Sequence, residues 1–397
     1  MKILILGGAG MMGSGTARDL VSAQSAGVEK VTVADTSLER ARAACEAAGN
    51  DRRLEPVALD VTDATGLRRL IGQADLCING VPTFAGHQMA IFEACLDARR
   101  PYLDYGGLGI FTVKQKAEHA RWVAAGLPAV LGMGADPGVS NLACKAVAEG
   151  LDTIDRINLY WAATTTGPEF PVLIPPYSVA TVLAEFAHPS KQFIDGKLTE
   201  MPPQSGHEVL DLPEPFGLTE FIHTLHSEPL TVPFAKGIAD KGIREFTWKL
   251  SLPKAEREIW MSLVKSGFGD FDDPVTVPGG TVKPIDVLNA VVFRNIERNR
   301  ERIPVQHTYQ RHFAIGRGKK NGNPTVVHCA VTDAPDPIYD GYVDAATSMG
   351  ASIGAQLMLR QKAVPGVWGP EEYFDTGAFF AELEKRHFKV ETRSEGG

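Results

Sequence analysis

Seven residues close to the start of the chain, Gly7-Gly8-Ala9-Gly10-Met11-Met12-Gly13, set Gly8, Gly10 and Gly13 at the spacing G-x-G-x-x-G. They follow the apolar run KILIL and precede a helix-compatible stretch, the context in which this spacing cradles the pyrophosphate of a dinucleotide. Each glycine serves a mechanical purpose, Gly8 allowing the tight turn, Gly10 the close approach of phosphate to backbone, and Gly13 the close packing of helix on strand. Met11 and Met12 then belong to the positive end of that helix, where phosphate oxygens meet free N–H groups. Asp35 ends the second apolar run, KVTVAD, and with Thr36 it is placed to accept hydrogen bonds from the adenine ribose hydroxyls. An acidic side chain there repels a 2′-phosphate, so NAD is expected, with NADP possible; Arg40, one turn into the next helix, reads either as a partner for such a phosphate or as a solvated helix residue. Asp60 and Val61 fall near the adenine. Asn79, Gly80, Val81, Pro82 and Gly106 fall towards the nicotinamide, because ligands of open parallel sheets bind outside the carboxyl ends of the strands.

The elements that must position these residues are legible as an alternation. Short apolar runs (KILIL, KVTVAD, PVALD, ADLCING, PYLDY, PAVLG) are separated by stretches of helical period, including 64–71, 84–98 and 113–125. Such alternation implies right-handed crossovers and a doubly wound parallel sheet, here a Rossmann domain over 1–135. After residue 136 the strands follow one another, with hairpin signals at Asp195-Gly196 and Asn321-Gly322. A second α/β domain with a mixed sheet is expected over 136–338, and C-terminal helices packing back on the first domain over 339–397. Prolines at 168, 171, 175, 176, 202, 203, 213 and 215 argue for long surface loops in that region. The stretch 342–361, rich in Ala, Gly and Met, reads as a tightly packed helix, and 391–397 as a frayed tail.

The chain carries 48 acidic and 40 basic residues, net −8, with the basic residues scattered, which argues against nucleic acid as a partner. Five cysteines, odd in number and far apart, read as reduced core thiols. The first residues run straight into the glycine turn without a secretory signal, and no apolar run is long enough to span a membrane, so a cytoplasmic protein is expected.

The succession GGAGMMG, VTVAD, ADLCINGVP, YLDYGG, VLGMGADPGVSNL and GVWGPEEYFD resembles the saccharopine dehydrogenase-like family, and within it most closely the lysine 6-dehydrogenases. The resemblance spans nearly the whole chain and is weakest in the middle. It implies a Rossmann domain paired with a substrate domain, NAD(P)-dependent oxidation or reduction of a carbon–nitrogen bond in an amino acid or amine, and a homo-oligomer. One departure concerns the substrate. Members that handle saccharopine carry an arginine-containing strand of the type TLRY, whereas the comparable run here is FTWKLSL with Lys249 as its cation.

Oxidising an amine requires a neutral nitrogen, a path for hydride to the nicotinamide, and a water that attacks the resulting imine. Asp104, in YLDYGG, is a candidate to bind the substrate ammonium or orient water, or else a loop cap. Asp136, before Pro137 at a helix start, reads as a cap, or that helix start holds a substrate carboxylate with help from Asn141. Glu220 and His223 in LTEFIHTLHSEP lie one turn apart if that segment is helical, His223 being a suitable proton carrier. Tyr177 and Lys249 are further candidates for substrate contact. His207, Glu208 and Asp211 form no metal-ligand spacing, and the hydride mechanism requires no metal. Two other readings stay open: a saccharopine- or carboxyspermidine-type enzyme acting on a secondary amine, and a catalytically silent dinucleotide-binding scaffold.

Overall fold

In a computed structural model describing residues 1–168 and 170–396, the alternation becomes β1 (Lys2–Leu6), α1 (Met11–Leu20), β2 (Lys30–Asp35), α2 (Leu38–Ala47), β3 (Leu54–Ala58), α3 (Ala64–Gln73), β4 (Leu76–Asn79), α4 (Gln88–Asp97), β5 (Tyr102–Asp104), α5 (Thr112–Ala117), α6 (His119–Ala125) and β6 (Pro128–Val130). The strands pair in parallel, and those named so far run in the order β6-β5-β4-β1-β2-β3. Ile3, Leu4, Ile5 and Leu6 are all buried, because helices cover both faces of a parallel sheet and leave no solvent side to alternate towards. The order reverses between β1 and β4, and a crevice opens there above the strand ends.

The chain then passes through α7 (Val139–Glu149) into β7 (Thr153–Thr166), α8 (Val179–Ala187), β8 (Ser190–Ile194), β9 (Lys197–Met201), β10 (Glu208–Leu212), β11 (Gly217–Phe221), β12 (Glu245–Ser251), α9 (Lys254–Lys265), β13 (Val275–Val277), β14 (Gly280–Val282), α10 (Pro284–Asn299), β15 (His307–Lys320) and β16 (Asn323–Asp333). β7 pairs in parallel with β12 and antiparallel with β15, so the second sheet is mixed. Both hairpin turns have two residues in the left-handed region, Asp195 and Gly196 at φ 52° and 79°, and Asn321 and Gly322 at 50° and 82°. The proline-rich stretch departs from the expected loops. It contains α8, whose Val179, Val182, Leu183 and Phe186 are buried; the prolines only bound it, and apolar burial decides what lies between.

The C-terminal return is α11 (Ala345–Arg360), β17 (Gly366–Trp368), α12 (Pro370–Tyr373), α13 (Thr376–Glu384) and β18 (Lys389–Glu395). The small residues of α11 have a purpose: a Cβ on Gly15 of α1 would lie 2.3 Å from Ser348 Oγ, and one on Gly354 would lie 2.4 Å from Met133 Cγ. β17 adds a seventh strand beside β6. β18 corrects the expected frayed tail, since Glu391–Glu395 pair with β16; a sheet edge is satisfied by main-chain bonds and does not demand the apolar pattern that marks a strand in sequence. All five cysteines are buried and free. Among the described residues, no helix is long and apolar enough to cross a membrane.

The return is fastened by a buried ion pair. Arg386, fully enclosed, donates from Nε to Asp19 Oδ1 and from Nη2 to Asp19 Oδ2, each at 2.9 Å, joining the end of α13 to α1. Removing one partner leaves the other charge buried alone, so Arg386→Ala should lower unfolding free energy by about 3–5 kcal/mol in urea titrations. Asp19→Leu combined with Arg386→Met should recover most of that loss; a double variant no better than Arg386→Ala would contradict the assignment.

Candidate active site

The glycine turn works slightly differently from the expectation. The left-handed residue is Gly7, at φ 69°, and a Cβ there would lie 2.6 Å from Gly80 O, so the tight turn assigned to Gly8 falls one residue earlier. Gly8 instead donates its N–H to Ala34 O at 2.9 Å and sits behind the cleft wall. Gly10 caps α1 with an ordinary φ of −75°. A Cβ on Gly13 would fall 2.6 Å from Gly7 O, which is the close helix-to-strand packing anticipated for it. The N–H groups of Met11, Met12 and Gly13 have no acceptor within the helix and line the cleft, as a pyrophosphate site requires.

The cleft holds about 1010 Å³ and runs from this turn across to the second sheet. Its nucleotide half is lined by Gly10, Met11, Met12, Gly13, Asp35, Thr36, Asp60, Val61, Asn79, Gly80, Val81, Pro82 and Gly106. Asp35 accepts from Ser37 N at 3.2 Å, and Arg40 Nη1 stands 3.7 Å from its carboxylate, so both groups weighed for the adenosine end are there. Asp60 is held by Thr62 N and Oγ1 at 2.9 and 2.7 Å; these bonds keep its carboxyl below the usual range. Asn79 is oriented from both ends, donating to Tyr102 Oη at 3.0 Å and accepting from Val81 N at 3.1 Å.

The opposite half is built from side chains that meet only in three dimensions. Glu185 of α8 is buried and accepts a hydrogen bond from Tyr177 Oη, and His226 Nε2 lies 3.6 Å from its Oε1. Burial drives the Glu185 carboxyl up to about 7, against the opposing pull of His226 and Tyr177. Burial alone would push His226 down, but Glu228 Oε2, 2.5 Å from its Nδ1, holds the imidazolium and lifts it to about 9. The His226 ring stacks on Trp248 at 4.2 Å. Asp136 Oδ2 lies 2.5 Å from His312 Nδ1, and this pair likewise overcomes burial to raise His312 to about 9. Asp136 Oδ1 is buried without a hydrogen-bond partner. Register explains the grouping: His312 on β15 lies directly opposite Trp161 on β7, and Trp161 also lines the cleft.

The remaining sequence candidates divide. Asp104 lines the cleft, but its carboxylate is occupied: it accepts from Gly132 N at 2.7 Å, Gly106 N at 2.9 Å and Tyr102 Oη at 2.8 Å. It caps two glycine turns. Tyr177 and Asp136 line the cleft, but Asp136 is not the cap of α7, which is Gly138; its carboxylate holds His312 instead. Asn141 does not; it accepts from Gly138 N at 2.9 Å and donates to Glu371 at 2.7 Å. Lys249 is turned to Glu208 at 2.6 Å, outside the lining.

The helical premise for Glu220 and His223 fails, because Glu220 lies in β11 and His223 in the loop after it. Glu220 pairs with His207 at 2.8 Å and Arg257 at 2.5 Å. His223 faces Trp248 O at 3.1 Å, with its imidazolium disfavoured by burial. The histidine of that motif on the cleft is His226. Glu185 had one sequence signal, an acid inside the apolar run VATVLAEFA; His312 had none. Among the described residues, no group of three or more His, Cys, Asp or Glu side chains is disposed to hold a metal ion.

Comparison with known proteins bears on this arrangement. Residues 3–130 match the model of the saccharopine dehydrogenase NADP-binding domain, and residues 134–388 that of the saccharopine dehydrogenase C-terminal domain. Among solved structures, the saccharopine dehydrogenase (L-Glu forming) of Saccharomyces cerevisiae superposes with a TM-score of 0.70 at 14% identity, covering 99% of each chain, which establishes the shared fold. A probable dehydrogenase of Thermotoga maritima matches over 100% of this chain and 98% of its own, at 11% identity and a TM-score of 0.43, too loosely to add to that conclusion. With both halves of the fold matched and a cleft lined as a dinucleotide requires, this chain belongs to the saccharopine dehydrogenase family and is an NAD(P)-dependent oxidoreductase.

Proposed function

We propose that the protein oxidises the carbon–nitrogen bond of an amine or amino acid with NAD, releasing ammonia, in the manner of a lysine 6-dehydrogenase. The reading is carried by the continuity of one cleft from the glycine turn to the buried Glu185–Tyr177–His226 group. In balanced form, RCH2NH2 + NAD+ + H2O gives RCHO + NH4+ + NADH. The dinucleotide, when bound, supplies the hydride acceptor. Glu185 takes the proton that keeps the amine cationic and releases it to solvent, and the restored carboxylate then activates the water that attacks the imine; a carboxyl near 7 suits both roles. Tyr177 fixes the rotamer of Glu185 through its hydroxyl. Trp161 and Trp248 exclude bulk water, which strengthens every charge interaction inside. Asp35 favours NAD over NADP. Cytoplasmic residence, a small-molecule substrate and self-association complete the proposal.

Incubation with NAD and a panel containing lysine, simple primary amines and saccharopine, with NADH absorbance and free ammonia both measured, tests the reaction. Equimolar NADH and ammonia are expected; NADH without ammonia contradicts deamination. The pH profile follows from Glu185: below about 7 it is protonated and cannot act as base, so kcat/KM should rise with pH through that value. In Glu185→Gln that limb should vanish and the rate fall by roughly 10²–10⁴-fold, leaving only the limb due to the free amine. Gly10→Leu should still fold, since its φ is ordinary and the one close neighbour of a Cβ, Gly7 O at 3.1 Å, has to give by only a few tenths of an ångström. Its NADH affinity, read by fluorescence titration, should weaken by at least about tenfold as the side chain displaces phosphate.

A further inference from the structure

The charges around the far half of the cleft do not balance. Among the described residues lining it, Asp136, Glu185 and Asp344 are acidic, while the one lysine or arginine is Arg40, at the nucleotide end beside Asp35. Two imidazolium groups are close by, but each is already matched: His226 with Glu228, and His312 with Asp136, both at 2.5 Å. After these pairs cancel, Glu185 has only a share of His226, whose Nε2 is 3.6 Å away and which Glu228 already holds, and Asp344 has no cation within salt-bridge distance among the described residues. Lys249 and Arg257, two of the basic groups of the adjoining β12–α9 region, are bound to Glu208 and Glu220 away from the lining.

We propose that the amine substrate of this cleft is a linear aliphatic diamine or polyamine without a carboxylate, bound through its ammonium groups by Asp136, Glu185 and Asp344. The inference rests on the carbon–nitrogen oxidoreductase reading and narrows its substrate class. Asp136 provides the specific acceptor: one carboxylate oxygen holds His312 while Oδ1, on a side chain only 10% exposed, has no hydrogen-bond partner. A buried acceptor of this kind is costly unless a ligand or water donates to it. Burial also pushes the carboxyls of Glu185 and Asp344 above their usual range, the penalty an arriving ammonium would relieve.

An amino acid brings the opposite demand. Its carboxylate must be paired when buried, usually by a bidentate arginine or a free helix start. No arginine lines this half. The start of α11 is already taken by a carboxylate, since Asp344 accepts from Thr347 N at 3.0 Å and Thr347 Oγ1 at 2.7 Å. The start of α7 is satisfied by Gly134 O, Ala135 O and the Asn141 side chain, which accept from Val139 N, Ser140 N and Gly138 N. Among the described residues of this half, the start of α8, where Ser178 makes no side-chain cap, does offer backbone donors on the lining, and it shares the cleft with Glu185. Between the acidic groups, Trp161, Tyr177 and Phe293 present apolar surface that suits a polymethylene chain and the faces of aromatic rings to its charged ends.

The matched pair 1,5-diaminopentane and L-lysine differs by one carboxylate and isolates the question. Calorimetric titration of each into the wild-type protein saturated with NADH should give a dissociation constant at least about tenfold lower for the diamine. Equal affinities, tighter binding of lysine, or binding of neither would overturn the proposal. Glu185→Gln, with its fold checked by circular dichroism, should weaken the diamine by at least about tenfold; unchanged affinity would also overturn it. Turnover with NAD separates this from the underlying reading: a diamine that binds yet yields no NADH sinks the proposed reaction and leaves the ligand class standing. Lysine oxidised in preference to the diamine does the reverse.

Discussion

Everything in this molecule that bears on chemistry depends on places where two stretches of backbone come too close for a side chain. At the end of β1, Gly7 packs against Gly80 O, and Gly13 against Gly7 O; a Cβ on either would fall 2.6 Å from the facing oxygen. That crowding draws the end of β4 alongside the start of α1 and leaves peptide N–H groups as the cleft surface. The same device recurs at Gly106 and Gly132, whose amides are both tied to Asp104 at 2.9 and 2.7 Å. The nucleotide wall is thus mostly main chain, pinned by a carboxylate that has no lone pair left for a substrate.

The facing wall follows the opposite rule. It is made of ionisable side chains, of which the two histidines are each matched locally by a carboxylate, because an isolated ion in so dry a place is costly. The pair of Asp136 with His312 also joins the two halves of the fold, since Asp136 follows β6 of the first sheet and His312 belongs to β15 of the second. Against this background of matched pairs, Glu185 stands out with a carboxyl near 7, poised between charged and neutral forms at physiological pH.

Sequence and structure agree best where local pattern is decisive. Strands buried on both faces, such as KILIL, announce themselves as apolar runs, and turns with two left-handed residues announce themselves as Asp-Gly and Asn-Gly. The glycine turn was legible as a site although the strained residue proved to be Gly7, because the spacing marks a loop while only backbone geometry shows which member carries the positive φ. The second half of the site was mostly hidden. Asp136 meets His312 across 176 residues, and nothing in either neighbourhood encodes that meeting. In LTEFIHTLHSEP the apolar residues Leu218, Phe221, Ile222 and Leu225 fall at the helical spacing i, i+3, i+4 and i+7, yet Gly217–Phe221 is a strand paired with β10, and His223 and His226 lie in the loop beyond it. Tyr177 could be singled out; its partner Glu185, eight residues on, required knowing that α8 lies against the cleft.

Whether the reacting amine meets Glu185 rather than the acids nearer the glycine turn is tested most directly by a crystal structure of the protein with NADH and a bound amine. The amine nitrogen is expected within about 2.6–3.2 Å of a Glu185 oxygen and facing the nicotinamide ring. A nitrogen held instead by Asp104, or an amine seated at Glu220 and His223 beyond the cleft, would contradict that placement.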